Sequence, residues 1–513
     1  MKVLYLRKVT KSAKYLVVAL VSAILGLLIQ SAFAQKQYEI AAFLAISLVA
    51  IAVVYLTDVS VPFKFLLPGM LFLFAFVIGP IVYTVVMSTF QYQNGNYISK
   101  DESIAQIKLL GVESDEVGTS FDVVVGRDGS GNLAILASDI LNQQYFVSTA
   151  ESKRNLFSDD LELNSDGVAT SAPAFVSIQD SERGALDSEL SSTRFKYKDE
   201  YFVIMEGSGV GVVKRQVLEY RSSSDTFLNL IDGRTYSDNG RGNYADNSNS
   251  AEILQPGWRS PVWFSNYASL FTDSQIREPL LRVFTWTMIF ASLTVLTQFA
   301  LGLLLAIAMN RPLRGRRIYR SIFILPYAMP SIMSILIWGG MFDTEFGAIN
   351  NLFGTDIAWF QSSLFARTAV IIVNLWLGFP YFYLICSGAL QAIPADLSEA
   401  AAIDGANPRQ IFSKITLPLL LQVVAPLLVA SFAFNFNNFN LIYLLTGGGP
   451  SNPLDGDIAG ATDILISYTY KIAFVGDVQN LGLASAISVV IFFIIAAISL
   501  YGVRKSKVLD SFS

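Results

Sequence analysis

The stretch EAAAIDGANPRQIFSKITLP, residues 399–418, carries acid, amide and base around a central glycine, yet lies between two long apolar runs. A segment so polar cannot be buried in lipid, where each unsatisfied backbone or side-chain polar group costs several kcal/mol. Its neighbours read as membrane spans. The polar stretch therefore reads as a short helix–turn–helix outside the bilayer, turning at Gly405, whose missing side chain permits a tight backbone. Pro394 precedes it, and Pro418 stands where the next span is expected to begin.

Composition supports the membrane setting. The chain of 513 residues is 53% hydrophobic and 15% charged, with a mean hydropathy of +0.48, which is too apolar for a soluble protein of this size. It contains no histidine, removing the usual general base and the commonest metal ligand. Its single cysteine, Cys386, lies in an apolar run, so neither a disulfide framework nor a thiolate zinc site can form. No GxxxxGK[ST] phosphate loop occurs, and no convergent acid pair sits in a recognisable motif. An enzyme is the least supported class.

Eight stretches are long and apolar enough to span a bilayer, which takes about 20 residues. They are 15–34, 40–57, 65–90, 281–309, 318–342, 366–393, 419–445 and 481–503. Lys and Arg sort the loops. Arg7, Lys8, Lys11 and Lys14 precede the first span; Arg311, Arg314, Arg316, Arg317 and Arg320 separate the fourth from the fifth. Arg409 and Lys414 lie in the polar stretch, and Arg504, Lys505 and Lys507 follow the last span. The positive-inside rule places all of these, and both termini, in the cytoplasm. Ala32-Phe33-Ala34 after an apolar run also has the form of a signal-peptide cleavage site, but the span-length run favours an uncleaved helix.

Charge also marks an insert. Residues 91–275 hold 27 acids against 15 bases, leaving 14 acids and 21 bases for the rest of the chain. An acidic extracytoplasmic domain therefore interrupts a basic membrane protein. FDVVVG (121–126), YFVIMEG (201–207) and GVGVVKRQVLEY (209–220) read as strands, separated by turns such as Asp128-Gly129, Asp166-Gly167 and Asp232-Gly233. A mostly β, sandwich-like domain is expected, with a partner-binding role. GSGVG (207–211) and DGSGN (128–132) read as turns rather than a nucleotide loop or a calcium site. The organisation is thus three helices in 1–90, a β-rich domain in 91–275 and a five-helix core in 276–513. The fold class is an all-α polytopic membrane protein with an inserted, mostly-β periplasmic domain.

Polar residues inside spans usually face a cavity or a partner helix. In the seventh span Ser431, Phe434, Asn435 and Asn438 follow i, i+3, i+4, i+7 and are expected on one helical stripe. Asn374, Leu377, Gly378 and Tyr381 repeat that spacing in the sixth. Amides beside aromatic faces suit a neutral sugar, whose hydroxyls need donors and acceptors and whose C–H face needs an apolar cover. Neither stripe carries a charge, which argues against an ionic solute. The competing role for each amide is helix-to-helix bonding, the reading favoured for Asn437 and Asn440. Pro380 and Pro426 are expected to interrupt the helical ladder beside this site.

The 399–418 segment has the spacing EAA-x3-G-x9-I-x-LP without mismatch: Glu399, Ala400, Ala401, Gly405, Ile415, Leu417 and Pro418. In this it resembles the cytoplasmic EAA loop of ABC-importer permeases. VFTWT (283–287) and RSIFILPYAMP (320–330) resemble the core of that family, and the three early spans with the acidic insert resemble the larger permease subunit of maltose/maltodextrin importers. The resemblance implies that the 396–418 loop docks into a separate ATPase dimer, which carries ATP and magnesium, so that this chain needs no cofactor of its own. It further implies a second permease subunit, a periplasmic maltose-binding protein docking on the insert, a place among inner-membrane lipids and no nucleic-acid partner. The sugar-contacting positions of those permeases fall on the two stripes named above. A transporter of another neutral oligosaccharide fits the same residues. A ligand receptor without transport does not require the EAA spacing and expects a cytoplasmic signalling domain, for which the cytoplasmic segments are too short.

Overall fold

The computed structural model of the chain describes residues 2–35, 37–115, 117–207, 209–310, 313–451, 458–475 and 479–505. Arg311 and Lys507 of the basic loops, and Ser208 of the GSGVG turn, lie outside these. Two compact units are present, Met1–Met87 and Ser88–Ser513.

The first unit consists of α1 (Lys2–Ala34), α2 (Tyr38–Leu56) and α3 (Val61–Met87). The turn between α2 and α3 is pinned by Tyr55 Oη donating to the Lys64 carbonyl at 2.7 Å and Lys64 Nζ donating to the Thr57 carbonyl at 3.2 Å. Phe74–Ile78 forms a π turn inside α3, ending two residues before Pro80. A proline lacks the N–H for an i→i−4 bond and crowds that carbonyl, and a π turn relieves the crowding.

In the second unit the β-rich region begins at β1 (Phe90–Gln91) and leaves at β17 (Ser260–Pro261), which pairs with it. Between them lie α4 (Lys100–Leu110), β2 (Val112–Ser114), β3 (Ser120–Asp128), β4 (Leu133–Asp139), β5 (Gln144–Ser148), β6 (Lys153–Leu156), β7 (Glu162–Leu163), β8 (Ala169–Ser171), β9 (Phe175–Ser177) and α5 (Asp180–Ser192). β10 (Phe195–Lys198), β11 (Tyr201–Met205), β12 (Val210–Gln216), β13 (Leu218–Arg221), β14 (Thr226–Asn229), β15 (Thr235–Asp238) and β16 (Tyr244–Asp246) follow. The sandwich expectation needs correction. The main sheet, ordered β10-β11-β12-β3-β4-β5-β6, curls until its edges meet: Lys196 N–H donates to the Thr149 carbonyl at 2.9 Å, and Ser148 Oγ to the Lys196 carbonyl at 2.6 Å. The result is a nearly closed sheet, its interior filled by Phe121, Val123, Ile135, Phe146, Phe195 and Val203, which removes exposed edges. β13–β16 form a separate four-stranded sheet against α4, sharing a core of Ile107, Phe227, Tyr236, Tyr244 and Trp258. DGSGN is the β3–β4 turn, closed by Asp128 Oδ1 accepting from the Ser130 and Asn132 N–H groups at 2.9 Å each.

The helical core comprises α6 (Ser265–Thr272), α7 (Ser274–Met309), α8 (Arg316–Ala328), α9 (Ser331–Met341), α10 (Ala348–Phe353), α11 (Ser363–Ala392), α12 (Ala395–Ile403), α13 (Pro408–Ile411), α14 (Leu417–Phe436), α15 (Phe439–Leu445), α16 (Leu465–Phe474) and α17 (Leu481–Lys505). Among the described residues seven helices are long and apolar enough to cross a membrane, and eight spans result if α8 and α9, bent by 95° to one another, count as one. That bend corrects the straight span expected over 318–342. Pro330 has no N–H to continue the ladder and holds Met329 extended, at ψ 140.

Two further expectations are revised. Pro380 and Pro426 lie within unbroken helices, α11 and α14, as neighbouring helices in a membrane protein allow. The seventh span, in contrast, stops at Phe436 and restarts at Phe439. Asn438 caps the restart, its side-chain oxygen accepting from the Leu441 N–H at 3.4 Å. Side-chain bonds of this kind compete with the helical ladder, so the asparagine cluster ends the stripe after Asn435.

Candidate functional site

α7, α8, α9, α11, α14 and α15 surround a cavity of about 640 Å³. Asn374, Leu377, Gly378 and Tyr381 line it from α11, and Ser431, Phe434 and Asn435 from α14; Asn438, at the break, also reaches it. All eight residues named from the two stripes thus meet at one cavity, although Asn438 arrives through the helix break rather than along a continuous face. Among the described residues, no Asp, Glu, Lys or Arg lines it.

The amides are arranged in a chain. Asn374 and Asn435 are almost fully buried, at 3% and 2% exposure. Asn374 Nδ2 donates to Asn435 Oδ1 at 2.7 Å and lies 3.4 Å from Thr294 Oγ1. Asn435 Nδ2 donates back to the Ser431 carbonyl at 2.8 Å. These bonds fasten α11 to α14 and hold both amide planes in fixed orientation. Phe434, at 70% exposure, offers an open ring face on the same side.

Sequence reasoning missed part of the wall. Gln298 from α7, and Tyr327, Met329 and Ser331 around the α8–α9 bend, also line the cavity. Asn440, assigned above to helix packing, lines it too; the restart of the helix at Phe439 turns it inward. Gln298 was detectable as the lone amide within an otherwise apolar run. The tyrosine was not, because the 95° bend that presents it is set by Pro330 rather than by periodicity.

The polar segment 396–418 forms the expected elbow. α12 ends in a Schellman turn: the Ala406 N–H donates to the Ala401 carbonyl at 2.9 Å and the Gly405 N–H to the Ala402 carbonyl at 3.1 Å. Gly405 has φ +84, the left-handed conformation that this turn demands. The three-residue gap between Ala401 and Gly405 is therefore a geometric requirement. Asn407 then caps α13 reciprocally with Gln410 at 2.8 and 3.0 Å. Phe412–Thr416 is a π turn ending two residues before Pro418, as at Pro80, so α13 runs into α14 as one helix, Pro408–Phe436. Pro418 lies inside that helix rather than at its start. Glu399 and Ala400 are exposed, Ala401, Ile415 and Leu417 half-buried, and Pro418 exposed. Glu399 has no ion-pair partner among the described residues. Ile403, at 87% exposure, presents an apolar side chain beside it. A surface depression of about 280 Å³ between Asp404, Gln410 and Lys414 completes the elbow.

The family model described as binding-protein-dependent transport system inner membrane component matches residues 298–507. The chain is 37% identical over 485 residues to the maltose/maltodextrin transport system permease protein MalF of Vibrio vulnificus, covering 91% of this chain and 89% of that protein. It is 35% identical over 511 residues to the protein of the same name from Escherichia coli, covering 96% of each. Among solved structures it is similar, at 22% identity and a TM-score of 0.41, to a chain of a bacterial ABC transporter involved in the import of the acidic polysaccharide alginate, covering 48% of this chain and 83% of that one. The share of both chains that the two matches cover is decisive: the chain belongs to the family of maltose/maltodextrin transport system permease proteins, multi-pass components of the inner membrane.

Proposed function

We propose that this chain forms the transmembrane path for maltose and maltodextrins in an ATP-driven importer, together with a second permease subunit. The observation that carries this reading is the meeting of Asn374, Leu377, Gly378, Tyr381, Ser431, Phe434, Asn435 and Asn438 at one uncharged cavity large enough for a small ligand. Amides and hydroxyls serve sugar hydroxyls, Phe434 and Tyr381 cover the pyranose face, and the lack of charge suits a neutral solute. The names of the curated relatives support the same substrate class.

In this reading the elbow is the coupling element. Its exposed Glu399 and Ala400, with the half-buried Ala401, seat in a cleft of a partner ATPase dimer, which binds ATP and magnesium, while the continuous helix from Pro408 to Phe436 carries the partner's closure to the cavity wall. Both termini and the elbow then face the cytoplasm. The β-rich domain faces outward, where a soluble sugar-binding protein docks.

Asn435→Ala in the assembled complex is the direct test, read as sugar uptake. Loss of uptake with normal assembly is expected, and normal uptake would remove Asn435 from the path. Cysteines placed along 399–418 should cross-link to the ATPase subunit, and failure at every position would sink the coupling role.

A further inference from the structure

We propose that Gln298 is a further sugar-contacting residue, a hydroxyl acceptor that helps decide which saccharide the cavity takes. The inference rests on reading the cavity as the sugar path and adds a residue from a helix that contributes to neither stripe.

Gln298 is 3% exposed and lines the cavity from α7. Its Nε2 donates to the backbone carbonyl of Asn374 at 2.6 Å. This fixes the amide plane, since the nitrogen is held against α11. Gly378 supplies the seat. A Cβ at that position would lie 2.1 Å from Gln298 Nε2 and 2.6 Å from Oε1, so no side chain larger than hydrogen leaves room for the amide. The oxygen, by contrast, receives no hydrogen bond from the described residues and is not sealed from solvent. An accessible, oriented acceptor in a cavity wall is a binding group.

Asn374 follows the same rule. Its Nδ2 is committed to Asn435 and Thr294, whereas its Oδ1 accepts nothing from the described residues. Gln298 and Asn374 thus spend their nitrogens on helix-to-helix bonds and leave their oxygens open, whereas Asn435 gives its oxygen to Asn374 and its nitrogen to Ser431. Two open acceptors favour a solute that brings its own donors, as a hydroxyl-rich sugar does. A site that bonds a substrate hydroxyl rejects the analogue lacking it far more strongly than an apolar wall does.

The bland alternative is that Gln298 only staples α7 to α11, a role that uses the nitrogen alone. Uptake of maltose and its monodeoxy analogues by the reconstituted complex separates the two. With the native residue, one analogue should be taken up roughly tenfold less efficiently because Gln298 loses its hydroxyl partner. In Gln298→Met that analogue should lose its handicap relative to maltose, while the other analogues keep theirs. A uniform drop across all sugars, or no change, would overturn the proposal. Should Gln298→Met fail to assemble, Gly378→Ala displaces the amide without deleting it and should alter the same analogue's handicap; an unaltered profile counts against the proposal equally. Phe434→Ala and Asn435→Ala run beside these variants. If both transport normally, the cavity is not the path; if both fail while the Gln298 profile stays uniform, only the role of Gln298 falls.

Discussion

Asn374 donates its side-chain amide to Asn435 across 2.7 Å, joining α11 to α14 at the cavity wall. The residues proposed to contact sugar are therefore also residues that fasten the two helices. Asn374 spends its nitrogen on the other helix and leaves its oxygen open, whereas Asn435 spends its oxygen on Asn374 and its nitrogen on Ser431 of its own helix.

A double-mutant cycle should separate those roles. Asn374→Ala and Asn435→Ala should each lower thermal stability modestly, with a coupling of about 1 kcal/mol, the size of an interhelical bond in a membrane protein. Uptake should fall by at least tenfold in each single variant, well beyond what the stability change accounts for. Strictly additive stability effects would mean that the bond is not formed in the membrane.

Gly405 should tolerate asparagine better than alanine. Its φ of +84 closes the Schellman turn after α12, and asparagine visits that conformation more readily than other residues with a side chain. Alanine there should cost about 1 kcal/mol locally. Under the proposed coupling role, uptake driven by ATP should fall in Gly405→Ala and recover substantially in Gly405→Asn. Equal loss in both would point to crowding by a side chain rather than to backbone conformation.

The spans and the elbow were legible because their signals are local. Apolar length gives a span, and the offset from Ala401 to Gly405 gives a turn. The cavity residues were legible through the 3.6-residue period, which held as far as Asn435. It failed at Asn438, where a side-chain cap replaces the helical ladder, and at Tyr327, which the Pro330 bend presents. The curling of the main sheet was not readable, since it depends on Lys196 meeting Thr149 between strands whose alternation looks the same in a sandwich.

The β-rich domain should weaken in acid through Asp225. Burial alone would raise this carboxyl, but hydrogen bonds from Lys100 at 2.6 Å, Tyr244 at 2.6 Å and Tyr220 at 2.8 Å hold it below its ordinary 3.8. Because the folded value is depressed, its stabilising effect is present above the unfolded value and disappears as pH falls through the folded one. Lys100 behaves oppositely: burial lowers it, yet its bonds to Asp225 and Asp238 leave it raised, so its share is lost only in strong alkali. Amide exchange in β13–β16 should therefore accelerate below about pH 4, and Asp225→Asn should flatten that dependence. An unchanged acid profile would move the sensitivity to another carboxyl.

The fully buried Asp463 should be far more sensitive to substitution than any surface acid of this chain. Its Oδ2 takes Lys471 Nζ at 2.7 Å and the Gly460 N–H at 2.7 Å, and its Oδ1 takes Ser467 Oγ at 2.8 Å. Lys471 is itself only 16% exposed. The same segment is clamped from the helices, with Arg282 and Arg367 donating to the carbonyls of Ala459 and Ala461 and Trp286 Nε1 to that of Thr462. Asp463→Asn leaves an ammonium with little water and no counter-charge, a loss of about 3–5 kcal/mol. Asp463→Asn combined with Lys471→Met removes the stranded charge and should recover much of that stability, even though two native residues are gone. Thermal unfolding of the two variants decides the matter: a double variant no more stable than the single would show that the bonds to Gly460 and Ser467, rather than the ion pair, hold this segment against the helices.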